Sequence, residues 1–182
     1  MNNHLLLPAI LLLPAIIGGV LHSLVIKTHT LEWLAVPISR RLFGAHKTWR
    51  GFVVMPLGCA LGAYLTVGLE HWLPEHLHTG LAATPIFLVG CCLGLGYMLP
   101  ELPNSWLKRR VGIAEGELAA NRWRPWFFVL DQIDSVIGCL VVCHWALGYG
   151  LDVLMPAFLL GTIAHLLTNF SLYVTGVRSR PV

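Results

Sequence analysis

Charge is what this sequence has least of. Only 12% of its 182 residues are Asp, Glu, Lys or Arg, about half the share of an ordinary soluble domain. That scarcity excludes a water-facing globule, and no nucleic-acid partner is expected. The chain has no internal repeat, no low-complexity tract and no substantial stretch left over for a soluble domain. Its first apolar run has no basic segment before it, which argues against a cleaved signal peptide. That run reads instead as a retained first helix, bent near Pro14 and Gly18–Gly19. Cysteine is sparse as well. Cys59, Cys91, Cys92, Cys139 and Cys143 all fall in apolar runs, where a small apolar packing role is the ordinary reading.

What is abundant is hydrocarbon. Apolar residues make up 56% of the chain and the mean hydropathy is +0.71. A helix needs about 20 apolar residues to cross a bilayer, and such blocks occur at 5–26, 52–69, 81–100, 127–148 and 151–174. The block at 31–42 is short and interrupted by Glu32, Pro37 and Arg40, so it reads as re-entrant or interfacial. The expected fold is all-α: a polytopic membrane protein with about five transmembrane helices. Residues 1–182 form one integral membrane domain in this reading, with loops at 27–51 and 101–126.

All twelve Lys and Arg residues separate to one side of this arrangement. Lys27, Arg40, Arg41, Lys47 and Arg50 follow the first span; Lys108, Arg109, Arg110, Arg122 and Arg124 follow the third; Arg178 and Arg180 follow the fifth. The other side carries Glu70, Glu75, Asp152 and several histidines. By the positive-inside rule the N-terminus is expected outside and the C-terminus in the cytoplasm. The setting is then a cell (inner) membrane protein with both basic loops facing the cytoplasm.

Against this background Asp131 and Asp134 stand out. A charged acid at the centre of a spanning helix costs roughly 2.5–3.5 kcal/mol on insertion scales, yet two lie near the start of the fourth span. At i, i+3 they share one helix face, about one turn inside the membrane on the basic side. Paired oxygen ligands opposite a basic surface suit a hard cation such as Mg²⁺, which takes one or two carboxylates and completes its shell with water and phosphates. Gly138, one turn further in, would let a neighbouring helix approach closely. The ordinary alternative is an acid pair neutralised by nearby Arg. The basic clusters around Trp49 and Trp106 likewise match interfacial anchoring to anionic lipid. His144 and His165 read as packed neutral histidines, and the outer halves of the spans offer little polarity beyond these two and Asn169. The conjunction is more informative than any part: two basic clusters, hydroxyls at Thr48 and Ser105, a Gly–Ile turn before Glu115, and two acids. Together they supply what is needed to hold a nucleoside triphosphate at a membrane surface.

Three segments carry a family resemblance: "FGAHKTWRG", "SWLKRRVGIAEG" and "LDQIDSVIG". In order and spacing they resemble the CDP-archaeol synthase family of membrane cytidylyltransferases, with its K-T-W-R-G, G-D-x-x-x-S-F-x-K-R-R and D-Q-x-D motifs. The last two are also similar to the broader signature of phosphatidate cytidylyltransferases. The resemblance covers most of the chain, from the first loop to the fourth span. It implies that Lys47, Thr48, Arg50, Ser105 and Arg110 bind nucleotide or phosphate. It also implies that Lys108, Arg109, Asp131 and Asp134 are catalytic, and that Asp131 and Asp134, with Glu101 helping, hold Mg²⁺. Two positions depart from the family pattern. Pro100–Glu101 stands where Gly–Asp opens the second motif, and Ser39 follows Pro37–Ile38 where family members carry Asp.

The implied reaction is attack of a membrane lipid phosphate on CTP, giving a CDP-lipid of archaeol or diacylglycerol type and pyrophosphate. An ionised phosphate needs no strong general base, and phosphoryl-type transfer is mostly positioning and charge stabilisation. Lys47 and Arg50 could serve either the lipid phosphate or the nucleotide. A competing reading is a small ion- or proton-coupled transporter using the acid pair. Such a protein would more naturally show an inverted repeat and a polar path through the whole bilayer. The lipid stays open at this level, as does oligomeric state, a homo-oligomer included.

Overall fold

Inside hydrocarbon every backbone N–H and C=O must be paired within the chain, and helices do this segment by segment. The computed structural model describes residues 5–114 and 123–176. Their α-helices are α1 (Leu6–Leu11), α2 (Leu13–Lys27), α3 (Arg40–Phe43), α4 (Trp49–Glu70), α5 (Ile86–Met98), α6 (Glu101–Arg110), α7 (Arg124–Leu147) and α8 (Leu151–Val174). Five helical runs are long and apolar enough to cross a membrane: Leu6–Lys27, Trp49–Glu70, Ile86–Arg110, Pro125–Leu147 and Leu151–Ser171. The chain is an integral membrane protein with five candidate spans. Glu115, Arg122, Arg178 and Arg180, used above for motif and charge placement, lie outside the described residues.

The spans close into a ring. α2 packs on α4, α4 on α5, α5 on α7, α7 on α8, and α8 on α1. Met55, Cys59 and Ala63 of α4, Leu93 of α5, Cys139 and Cys143 of α7 and Ala157 of α8 form the apolar centre. The five cysteines are free thiols, three of them fully inside this core. Because the spans alternate in direction, Lys27, Arg40, Arg41, Lys47, Arg50, Lys108, Arg109 and Arg110 all fall at one end, here called the basic end. At the opposite end buried Glu70 accepts hydrogen bonds from Thr79 N at 2.7 Å and Thr79 Oγ1 at 2.5 Å, fastening the loop after α4.

Prolines account for two differences from the sequence reading. The first span does break, but at Leu12, just ahead of Pro14, which occupies the first turn of α2. A proline cannot donate to the preceding turn. α2 runs unbroken through Gly18; a Cβ there would come within 2.5 Å of Cys59 Sγ, so the glycine admits α4. The third span begins at Ile86 rather than 81, because Leu81–Ala83 is a separate 3-10 turn. It also continues past Pro100: α5 stops at Met98 and α6 restarts at Glu101 with Pro100 as its N-cap. The expected second loop therefore starts as a helix.

The 31–42 block is no span. It comprises a 3-10 turn at Glu32–Leu34 and then a loop tied at its neck. Ile38 N donates to Lys47 O at 2.8 Å and Trp49 N to Val36 O at 3.1 Å. Within the loop Ser39 caps α3, its Oγ accepting from Leu42 N at 3.3 Å. Asp would cap equally well, and losing such a cap costs about 1 kcal/mol. Ser39→Asp is therefore expected to leave thermal unfolding of the purified protein unchanged, while Ser39→Ala lowers the midpoint slightly.

Candidate active site

The neck of the first loop, one face of α6, the first turns of α7 and the basic-end half of α8 converge on a pocket of about 220 Å³ at the basic end. Lys47, Glu101, Asn104, Ser105, Lys108, Arg109, Asp131, Gln132, Asp134, His165 and Asn169 line it, with Phe43, Gly44 and His46 at the loop side. Glu101, Ser105, Lys108 and Arg109 come from one helix and Asp131 and Asp134 from another. What sets their separation is the crossing of α5 and α7: a Cβ on Gly138 would lie 1.8 Å from Gly96 O. No larger residue fits there, so the backbones touch one turn below the acids. Small residues permit this kind of contact between membrane helices.

Two ion pairs span the pocket. Lys47 Nζ pairs with Glu101, tying the first loop to α6. Glu101 Oε1 in turn accepts from Ser135 Oγ of α7 at 3.0 Å. The longer arm of Glu, compared with the family's Asp, thus bridges loop and helix, and at the first position of α6 it also complements the helix dipole. Lys108 Nζ contacts both oxygens of Asp131, at 2.6 and 2.5 Å. Its ammonium also sits 5.8 Å from the Phe127 ring centroid. Asp134 has no cationic partner among the described residues; it accepts from Ser135 N at 2.7 Å and Asn104 Nδ2 at 2.8 Å. Arg109 contributes the opposite imbalance, a buried Nε without a hydrogen-bond partner. An unpaired buried donor costs about 1–3 kcal/mol, so this guanidinium is set to receive an anion.

Other residues singled out in the motifs stand nearby without lining the pocket. Thr48 forms the bridge with Pro37, and Arg50 reaches Thr30 O at 3.4 Å. Arg110 lies over the Trp106 ring at 5.2 Å. His144 is at the far end, its Nδ1 2.8 Å from Tyr149 O.

His165 and Asn169 correct the sequence reading. They belong to the basic-end half of α8, not to an outer half. His165 stacks on Tyr97 with centroids 5.9 Å apart, and Asn169 Nδ2 donates to Gln132 Oε1 at 3.2 Å. The signal was available: at i, i+4 the two share a face of α8, and α8 runs toward the basic end. Gln132 and Asn104 were missed as well. Only the fold shows that Asn104, on α6, bridges the two acids of α7.

Among the described residues no three His, Cys, Asp or Glu converge as a metal cluster. The hard-oxygen set is the acid pair together with an amide, Asn104, whose Oδ1 is buried without a partner. Such a set fits Mg²⁺, which takes few protein carboxylates.

The bundle and its pocket define a polytopic membrane protein with a polar pocket at the basic end, where cations face acids. More particularly, the chain belongs to the CDP-archaeol synthase family, a family of membrane CTP:lipid-phosphate cytidylyltransferases: the family model described as CarS-like CDP-archaeol synthase matches residues 1–181. It is 36% identical over 151 residues to a CDP-archaeol synthase of Halobacterium salinarum, covering 78% of this chain and 77% of that one. A CDP-archaeol synthase of Natronomonas pharaonis is 32% identical, with 78% and 72% covered. One of Thermofilum pendens is 33% identical, with 85% and 67% covered. No solved structure matches the chain.

Proposed function

We propose that this chain transfers the cytidylyl group of CTP to archaetidic acid, the phosphomonoester of archaeol, at the cytoplasmic face of the membrane. The observation that carries the reading is the juxtaposition of Asp131 and Asp134 with Lys47, Lys108 and Arg109 in one pocket at the basic end. An oxygen of the lipid phosphate attacks the α-phosphorus of CTP. The bond from that phosphorus to the oxygen bridging it to the β-phosphate breaks, and pyrophosphate leaves with the electron pair. Arg109, with a donor to spare, and Lys108 hold the triphosphate and take up charge developing on the leaving pyrophosphate. Arg suits bidentate phosphate contact and Lys acts as a point charge. Ser105 adds a neutral hydroxyl donor. Lys47, at the neck of the first loop, positions the lipid phosphate, and Glu101 keeps its ammonium aimed. Asp131, Asp134 and Asn104 would hold Mg²⁺, which when bound neutralises and orients the triphosphate.

The boundary location suits the substrates, one confined to the bilayer and the other to water. The transport alternative finds less support. Between the polar groups of the basic end and Glu70 at the other lies the apolar layer of Met55, Cys59, Ala63, Leu93 and Cys139. Among the described residues no polar path crosses it.

The test is a purified-protein assay in nanodiscs with labelled CTP, Mg²⁺ and a panel of lipid phosphates. CDP-archaeol is the expected product, with one pyrophosphate released per turnover. A folded protein that yields no CDP-lipid with archaetidic acid or any other lipid phosphate would overturn the reading.

A further inference from the structure

Asn104 holds the acid pair in a way that a cation would have to undo. Its Nδ2 donates to Asp131 Oδ1 at 2.7 Å and to Asp134 Oδ2 at 2.8 Å. Four residues on, and so on the same face of α6, Lys108 occupies both oxygens of Asp131. The acids are therefore covered by N–H donors, and a divalent ion approaching them meets hydrogens carrying positive charge. At the other end of the same amide, Oδ1 is buried with no hydrogen-bond partner. One side chain thus turns its donor toward the acids and leaves its acceptor unused.

We propose that Asn104 is an oxygen ligand of the divalent cation, delivered by a half-turn of its terminal amide, and that the same exchange releases Lys108 from Asp131. The proposal rests on the metal-assisted reading of the site given above. A half-turn brings Oδ1 to the place Nδ2 now occupies, 2.7 and 2.8 Å from one oxygen of each acid. Neighbouring ligands in a Mg²⁺ octahedron with bonds of 2.0–2.1 Å stand about 2.9 Å apart, so each of these two separations suits a pair of neighbouring ligands. The terminal torsion of Asn is broad and roughly two-fold, and Oδ1 gives up no hydrogen bond when it leaves. Nδ2 gives up two, so the turn is favourable only once the cation has replaced those donors on the acids. Asn104 also supplies oxygen without adding charge to a pocket whose acids, Glu101, Asp131 and Asp134, already equal its cations, Lys47, Lys108 and Arg109.

The exchange couples two events. With the cation on Asp131, the ammonium of Lys108 loses its partner and becomes available to a phosphate in the same pocket. Before the cation arrives, Lys108 is neutralised and Asn104 prevents the two carboxylates from facing each other unscreened. The site is thereby kept folded and closed to charge until its cation is present.

The experiment uses the full chain in nanodiscs with Mn²⁺ as the probe, without CTP, so that it does not depend on turnover. Protein labelled with ¹³C at the asparagine side-chain carbonyl is examined by pulsed electron–nuclear double resonance. A ¹³C coupling from a directly bound carbonyl is expected in the wild type and lost in Asn104→Ala. The dissociation constant for Mn²⁺ should rise about tenfold or more in that variant, as happens when even outer partners of a metal are removed. Asn104→Asp, which keeps an oxygen whichever way it turns, should bind Mn²⁺ at least as tightly as the wild type. Wild-type protein that binds one Mn²⁺ without a ¹³C coupling would overturn the ligand assignment while leaving the acid pair as the metal site. Unchanged affinity in Asn104→Ala would do the same. Should the wild type bind no Mn²⁺ at all, the metal reading of Asp131 and Asp134 falls, and this inference with it.

Discussion

Asp134→Asn is expected to lower kcat for CDP-lipid formation by about 10³-fold, the upper range for removing one preorganised electrostatic group, and Asp131→Asn by a similar factor. Both substitutions are isosteric, and both acids lie in the part of α7 that packs on α6, not in the apolar centre. The purified variants should therefore keep the wild-type elution volume and nearly its unfolding midpoint. Asp131→Asn removes the pair with Lys108, whose side-chain exposures of 19% and 40% mark a partly solvated contact. Partial solvation keeps such a contact modest in stability. Kinetic constants separate two roles for the acids. If they merely balanced the cations of the pocket, removing one would strengthen attraction for the triphosphate and lower the KM for CTP with little change in kcat. A role in holding the cation predicts collapse of kcat and of its Mg²⁺ dependence. Near-normal turnover in both variants would end the metal assignment.

The second large effect needs no polar group. Gly138→Ala places a methyl 1.8 Å from Gly96 O and 2.6 Å from Pro100 Cγ. The obstacle is backbone, so α5 and α7 must separate rather than a side chain rotate. Overpacking of this kind costs about 1–3 kcal/mol and more when it cannot relax. For a chain of this size that corresponds to a drop in Tm of about 2–12 °C. Activity should fall further than stability, because Glu101 and Ser135 lie just beyond the crossing and their contact depends on the spacing it sets. Gly19→Ala and Gly68→Ala are the controls: a Cβ at either position meets nothing within 4 Å. A Gly138→Ala protein with wild-type Tm and turnover would show that the crossing is looser than its geometry implies.

Much of the architecture was legible because hydropathy reports burial in lipid directly. The five runs, the non-spanning block at 31–42 and the separation of basic residues follow from composition alone. Helix ends were less legible, because they depend on where proline removes a donor. Leu12 and Pro100 show this in opposite ways: apolar content continues across Leu12 while the helix breaks there, and at Pro100 the apolar content ends while helix resumes at Glu101. For the site, the three motifs contain most of the residues that meet in the pocket, since loops rich in Lys, Arg and Trp beside apolar spans stand out in a line of text. They could not separate Lys47, which lines the pocket, from Arg50, three residues on, which turns back to Thr30. Nor could they show that Asn104 and Asn169 enter the same space from different helices. An isolated amide in one sequence carries no chemical signature; it acquires one only when its neighbours in space are known.

The uneven packing of the ring has a consequence for how such a protein can change. α4 has 50% of its most apolar stretch buried inside the protein, whereas the figure for α8 is 17%. Yet α8 supplies one wall of the pocket through His165 and Asn169. The least buried wall is thus one that packs on α7 along a single side and meets the acid-bearing segment through Asn169 and Gln132. Substitutions on α8 can reshape what the pocket meets on its membrane side while α4, α5 and α7 hold the charged groups in register.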